Sequence, residues 1–137
     1  MLRSVASIVI GFIVIAALSF GADAALKLAM PSAFSPSGRV DSVPVLLLVQ
    51  AYVIVFAVSG CYLTARLAPN RPLRHALILG LLGLAFNVVG TIALWSTAPA
   101  WYHVMALLLV MPAAWLGGRL RELQIEREAT APRAAVT

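Results

Sequence analysis

Residues 60–80, GCYLTARLAPNRPLRHALILG, hold a short arginine-rich turn between two apolar runs. The turn spans residues 66–75 and carries Arg66, Arg71 and Arg74, and Pro72 stands beside the start of the second run. On either side the apolar run is long enough to cross a bilayer, which takes about 20 mainly apolar residues in a helix. The stretch therefore predicts two transmembrane helices joined by a tight cationic turn.

The composition of the whole chain agrees with a membrane protein. The chain has 137 residues, of which 62% are hydrophobic and 11% charged. Soluble domains carry about 25% charged residues and roughly 45–50% apolar ones. With so few charged side chains, a domain of this size could not cover its surface in water. We expect one multi-span membrane domain.

Two further apolar segments qualify as spans, which gives four in all. The predicted class is an all-α, four-helix transmembrane bundle of up-down-up-down topology within residues 1–121. Residues 122–137 are predicted to form a cytoplasmic polar tail that continues the last helix for a turn or two and is then disordered. Pro112 should kink the last helix, because it removes one backbone hydrogen bond. The helices are expected at about 5–30, 43–67, 73–95 and 100–120.

The distribution of cations sets the predicted orientation. Cytoplasmic loops of membrane proteins carry an excess of Lys and Arg. With a cytoplasmic N-terminus, eight arginines lie inside and two cations, Lys27 and Arg39, lie outside. We therefore predict that both termini are cytoplasmic. Arginine outnumbers lysine nine to one and alanine is abundant, which is typical of a GC-rich bacterial genome and indicates a bacterial inner membrane. The positive-inside rule alone accounts for the presence of the inner arginines, and the same side chains could also contact anionic lipid headgroups. They include Arg66, Arg71, Arg74, Arg119 and Arg121.

The first segment has an alternative interpretation. Arg3, an apolar run and Ala22-Asp23-Ala24 resemble a signal peptide with its cleavage site. A signal peptide has an apolar core of about 7–15 residues, and this run is longer. We favour an uncleaved transmembrane helix.

Polar side chains interrupt each of the four apolar runs. At about 1.5 Å per residue, Asp23, Gln50 and Asn87 lie about 10–12 Å inside the predicted outer ends of their helices, and His103 lies one turn inside. Lys27 stands one turn beyond Asp23 on the same face. These five residues predict either a polar layer that binds a small solute or relays a proton, or only interhelical hydrogen bonds and headgroup contacts. His103 and His75 are each expected near the headgroups.

Small residues indicate where helices approach closely. Gly117 and Gly118 are instead expected to loosen the end of the last helix. The sequences YLTARL (62–67) and WLGGRL (115–120) also match, which suggests two tandem hairpins. Gly11 and Gly21 are ten residues apart, as are Gly80 and Gly90. The glycines predicted to serve helix packing are Gly11, Gly21, Gly80, Gly83 and Gly90.

Several functions are disfavoured by what the sequence contains. The cations cluster at the ends of apolar runs and form no continuous basic face, so we expect no nucleic-acid partner. The single cysteine, Cys61, has no partner for a disulfide or a Cys/His metal site. No phosphate-binding loop, metalloprotease motif or nucleophile elbow occurs. We therefore predict no cofactor, no metal and no enzymatic activity.

The stretches YLTARLAPNRPLRHALILGLLGL and WYHVMALLLVMPAAWLGGRLRE resemble a group of small, uncharacterised four-helix membrane proteins of bacteria. The shared pattern is TARLAPxRPxxHALxLG, followed by WY and PAAWLGGRL, and it falls on residues 60–80 and 101–120. The resemblance implies the four-helix fold and transfers no activity. Our first functional hypothesis is a non-enzymatic assembly or partner subunit, with the lipid bilayer, a second copy or another membrane protein as partner. The alternative is a small-solute or proton-coupled transporter that uses the polar layer.

Overall fold

The computed structural model describes residues 2–130, and no strand occurs among them. Four long helices follow one another, and each is long and apolar enough to cross a membrane. A 3₁₀ turn precedes the second helix and another precedes the fourth. The described chain is therefore all-helical, as predicted. The helices are α1 (Leu2–Ala29), α2 (Val43–Leu67), α3 (Pro72–Ala93) and α4 (Ala100–Thr130), and the turns are Pro31–Ala33 and Trp95–Thr97.

The helix α4 continues ten residues past its expected end at Leu120. Ion pairs along one face support this extension: Arg119 Nη1 lies 2.9 Å from a Glu122 carboxylate oxygen and 3.6 Å from one of Glu126. Such pairs three and seven residues apart fall on one side of a helix. The tail at 122–137 was expected to be helical for a turn or two and then disordered; it is helical as far as Thr130, and residues 131–137 lie outside the described part of the chain.

Helix α2 contacts all three other helices. Helix α1 packs on α2 and, over a smaller area, on α3, while α4 packs closely on both α2 and α3. Of its 28 residues, α1 buries Ser7 and Gly11. The first helix is therefore the most peripheral of the four.

One half of the bundle is tightly packed on small residues. A Cβ atom added to Gly11 would overlap the Thr64 hydroxyl of α2, and one added to Gly80 would overlap the Ala114 methyl group of α4. A Cβ on Gly117 would lie 2.5 Å from the Val58 carbonyl oxygen. Backbones this close have room for no side chain, which is typical of helix contacts in membranes. We call this half, which adjoins the α2–α3 turn, the arginine end.

Gly117 and Gly118 were expected to loosen the end of α4. They belong instead to this packed half. Both are buried in the middle of a longer helix, and a Cβ on Gly118 would lie 2.9 Å from the Ala76 side chain. His75 also differs from its expected place at the headgroups. It is 8% exposed, with Nδ1 3.2 Å from the Arg71 carbonyl oxygen.

The two long connections meet at the opposite end, which we call the two-loop end. The Val40 backbone N–H donates to the Thr97 carbonyl oxygen at 2.9 Å. The Arg39 guanidinium donates to the Ser96 carbonyl oxygen at 3.0 Å and to the Asp41 carboxylate at 2.8 Å. Residues 30–42 are thereby fastened to the turn at Trp95–Thr97.

Candidate functional site

A cavity of about 490 Å³ lies between the four helices at the two-loop end. Its volume falls within the range of about 300–1,000 Å³ that is usual for small-molecule sites. Phe34, Gly38 and Val40 of the first connection also line it. All five residues of the predicted polar layer line this one cavity: Asp23, Lys27, Gln50, Asn87 and His103.

Asp23 and Lys27 have separate partners. The Tyr52 hydroxyl of α2 donates a hydrogen bond to the Asp23 carboxylate of α1. The Lys27 ammonium lies 5.9 Å from the centre of the Phe34 ring, within cation–π distance. The structure therefore places an anion held by a hydroxyl group and a cation held by an aromatic ring on one wall of the cavity.

His103 on α4 is 6% exposed and packs among aromatic rings. The Trp95 ring stacks on it, with centroids 5.3 Å apart and planes at 18°, and the Tyr102 ring meets it edge-on at 5.8 Å. The His103 Nε2 atom is buried and has no hydrogen-bond partner among the described residues. Burying such an atom without a partner costs about 1–3 kcal/mol. A ligand in the cavity could therefore stabilise the site by forming a hydrogen bond with His103 Nε2.

Gln50 and Asn87 contribute amide groups from α2 and α3. Gln50 is 5% exposed and Asn87 is half-buried. Gly90, one turn from Asn87, faces the same cavity, and a Cβ added there would meet no atom within 4 Å. The wall contributed by α3 therefore has open space in front of it.

Helices α1 and α3 contact each other next to the cavity. The Phe12 and Phe86 rings are 5.1 Å apart, and the Leu79 side chain lies against Gly11. Asn87, which follows Phe86, lines the cavity, as does Asp23 of α1. The cavity therefore begins directly beside the Phe12–Phe86 contact.

The other predicted residues are not part of the cavity, apart from Gly90. Arg66, Arg71 and Arg74 are exposed at the arginine end. Arg119 pairs with glutamates of α4, and Arg121 Nη1 lies 3.8 Å from a Glu128 carboxylate oxygen.

The predicted packing glycines divide into three kinds. Gly11 and Gly80 make close helix contacts, and a Cβ on Gly83 would make an ordinary contact with Val110 at 3.9 Å. Gly21 and Gly90 have open space in front of them. Contacts within this chain therefore account for some of the predicted packing positions and leave Gly21 and Gly90 without a packing partner.

Sequence reasoning missed three contributors to the site. Tyr52 gives no signal in the sequence, because it lies only two residues from Gln50 on α2 and so projects about 200° away around the helix. Trp95 and Tyr102 are the other two: Trp95 stacks on His103, and Tyr102 lines the cavity. An aromatic residue beside a polar residue gives no signal that distinguishes the membrane interface from a site.

No three His, Cys, Asp or Glu side chains come together as a metal site within residues 2–130. Comparison of the chain with protein families, curated proteins and solved structures found no match.

Proposed function

We propose that this chain is a multi-pass membrane protein that binds a small molecule in the cavity at its two-loop end. The observation that carries the proposal is the convergence of five polar side chains from four helices on one cavity. Polar and ionisable groups within membrane helices are costly, and they commonly mark functional sites. Concave, mostly apolar pockets with a few convergent polar groups are the usual form of a ligand site.

The proposed orientation follows from the arginines. An up-down-up-down bundle with both termini in the cytoplasm of a bacterial inner membrane puts the arginine end inside. The cavity then opens toward the outer half of the bilayer. The close contacts at Gly11, Gly80 and Gly117 favour a site closed on the cytoplasmic side over a continuous path. A transporter built on this site would have to separate these contacts in a second state.

The test measures access to the cavity. A cysteine replaces Asn87 in a Cys61→Ala background, and intact cells are treated with a membrane-impermeant thiol reagent. We expect labelling at position 87, because the residue lines the cavity. A cysteine at Val89, which is 64% exposed on the same helix and therefore faces lipid in the proposed bundle, should stay unlabelled.

Two glycine variants make the test specific. Gly90→Leu places a side chain in the open space of the cavity and should block labelling at position 87. Gly21→Leu is the matched control, because it also meets no neighbouring atom but lies outside the cavity. If position 87 resists the reagent in opened as well as intact cells, or if Gly90→Leu changes nothing, the proposed site is refuted.

Assembly with a second copy or another membrane protein is the second candidate function. The observation that favours it is the peripheral place of α1, together with the open space at Gly21. Small residues let helices approach closely in membranes, and Ala25 stands one turn from Gly21. The exposed side of α1 around these residues would then be the contact surface.

The same two variants separate the two candidate functions. If α1 mediates assembly, Gly21→Leu should abolish association, measured by crosslinking in native membranes, and leave the labelling of position 87 intact. Gly90→Leu should have the opposite effect. If neither variant alters the oligomeric state, assembly through this surface of α1 is excluded.

A further inference from the structure

We infer that the occupant of the cavity is a single-chain zwitterionic amphiphile. This inference rests on the proposed binding function and specifies its ligand class. It is carried by two properties of the cavity, which are the separation of its lining into a polar and an apolar part and the balance of charge in the polar part.

The charged residues and the deepest residues of the cavity lie at different depths. Asp23, Lys27 and His103 lie toward the two-loop end, and Ala113 lies toward the packed half. From His103 to Ala113 the wall formed by α4 runs ten residues, or about 15 Å. The amides of Gln50 and Asn87 also line the cavity, and the lining residues of α2 and α4 nearest the packed half are apolar: Val53, Ile54, Ala57, Leu109, Val110 and Ala113. A ligand with a polar head and an apolar tail matches this lining from the charged residues to Ala113.

The volume of the cavity favours a tail of a single chain. A volume of about 490 Å³ suits one molecule of modest size. The lining residue Ala113 adjoins Ala114, whose methyl group a Cβ on Gly80 would overlap. Close packing of α3 on α4 at that contact limits how far a tail can reach.

The charges of the polar part indicate the headgroup. One carboxylate, Asp23, and one ammonium, Lys27, line the cavity one helical turn apart on α1. A headgroup with a single charge would pair with one of them and leave the other without a counter-ion from the ligand. A zwitterion can place its cation near Asp23 and its anion near Lys27. An oxygen of the same headgroup could also supply the partner that His103 Nε2 lacks.

The first experiment maps the tail. The full chain is placed in nanodiscs of phosphatidylglycerol, which contain no zwitterionic lipid, and decylphosphocholine with a diazirine at the tail end is photolysed. We expect crosslinks at Leu109, Val110 and Ala113, found by mass spectrometry. Leu108, 69% exposed on the same helix, reports ordinary lipid contact. Gly90→Leu should lower the cavity crosslinks about tenfold or more, because it overfills the site, whereas Gly21→Leu should not.

The second experiment tests whether Asp23 and Lys27 determine which headgroup the cavity prefers. Unlabelled decylphosphocholine, decyl sulfate, decyltrimethylammonium and decyl maltoside compete with the photoprobe. In the parent protein the zwitterion should compete about tenfold better than either ion. Asp23→Asn leaves Lys27 unbalanced and should shift the preference toward decyl sulfate. Lys27→Gln leaves Asp23 unbalanced and should shift it toward decyltrimethylammonium. A purely structural role of either residue would not exchange the two preferences.

The outcomes distinguish this inference from the proposed function. An unchanged order of competitors in both variants, or equal competition by decyl maltoside, overturns the zwitterionic headgroup. Equal competition by glycerophosphocholine, which has no tail, overturns the amphiphile, although position 87 would still label and the cavity would still bind a solute. Crosslinks at Leu108 alone overturn binding of an amphiphile in the cavity. Failure of the labelling at position 87 in both intact and opened cells refutes the proposed function itself.

Discussion

Gly11 and Gly21 show, at the scale of single residues, that the same residue type in one helix can have opposite roles. A Cβ at Gly11 would overlap the Thr64 hydroxyl and lie 2.9 Å from the Gly60 carbonyl oxygen, whereas one at Gly21 would meet nothing. The sequence presents both as glycines in an apolar run. Their difference depends on which face of α1 meets α2, and the run is apolar on all sides.

This difference predicts opposite effects of alanine on stability. Gly21→Ala should stabilise the fold by up to about 1 kcal/mol, because alanine is the better helix former. Gly11→Ala should destabilise it by about 1–3 kcal/mol through overpacking. The clash also displaces the Thr64 hydroxyl, which donates to the Ser7 carbonyl oxygen at 3.1 Å. Reversible unfolding in mixed micelles measures both changes.

A second substitution identifies the cause of the loss. Thr64→Ala removes the hydroxyl that a Cβ on Gly11 would overlap. The double variant Gly11→Ala/Thr64→Ala should therefore be less destabilised than the sum of the two single variants. Additive losses would show that the Gly11–Thr64 contact is not the source of the effect.

At the scale of elements, the two hairpins share a buried position that lines the cavity. The alignment of YLTARL with WLGGRL pairs Gln50 with His103. Gln50 and His103 are both buried and both line the cavity. The pairing of Gln50 with His103 supports the hypothesis of a tandem repeat beyond the short motif that suggested it.

The first connection, residues 30–42, is an element whose contacts predict a gating role. Arg39 holds it to the turn at Trp95–Thr97 through the Ser96 carbonyl oxygen, and Val40 lines the cavity. Arg39→Ala should change stability by no more than about 1 kcal/mol, as is usual for exposed ion pairs. It should raise the labelling rate of a cysteine at position 87 severalfold, because the loop loses the hydrogen bond from Arg39 to the Ser96 carbonyl oxygen.

The control for this loop lies at the other end of the bundle. Arg66→Ala removes an exposed cation from the arginine end and should leave the labelling rate at position 87 unchanged. An unchanged rate in Arg39→Ala would show that the loop does not limit entry to the cavity.

At the scale of the whole molecule, the sequence predicts the four helices well because hydropathy is summed over some 20 residues and tolerates local error. The extension of α4 was predicted only in part, as a turn or two beyond Leu120, because the ten residues that follow depend on ion pairs such as Arg119–Glu122 beyond the apolar run. Counting residues from the helix ends also predicted that the polar residues lie at similar depths, in one layer. The cavity in front of them could not be predicted, because it depends on how the four helices pack around these residues, and neither α1 nor α3 has a distinct apolar face that shows its neighbours.

The orientation of the whole bundle is the last prediction. If the arginine end is cytoplasmic, a cysteine at Ser37 in the Cys61→Ala background should react with an impermeant thiol reagent in intact cells. A cysteine at Asn70, in the α2–α3 turn, should react only after the cells are opened. Both positions are exposed, so burial does not explain a difference between them. The positive-inside rule requires this result, since Arg66, Arg71 and Arg74 flank position 70 closely. The reverse pattern would place the cavity on the cytoplasmic side, and the ligand would then be sought among molecules of the cytoplasm and the inner leaflet.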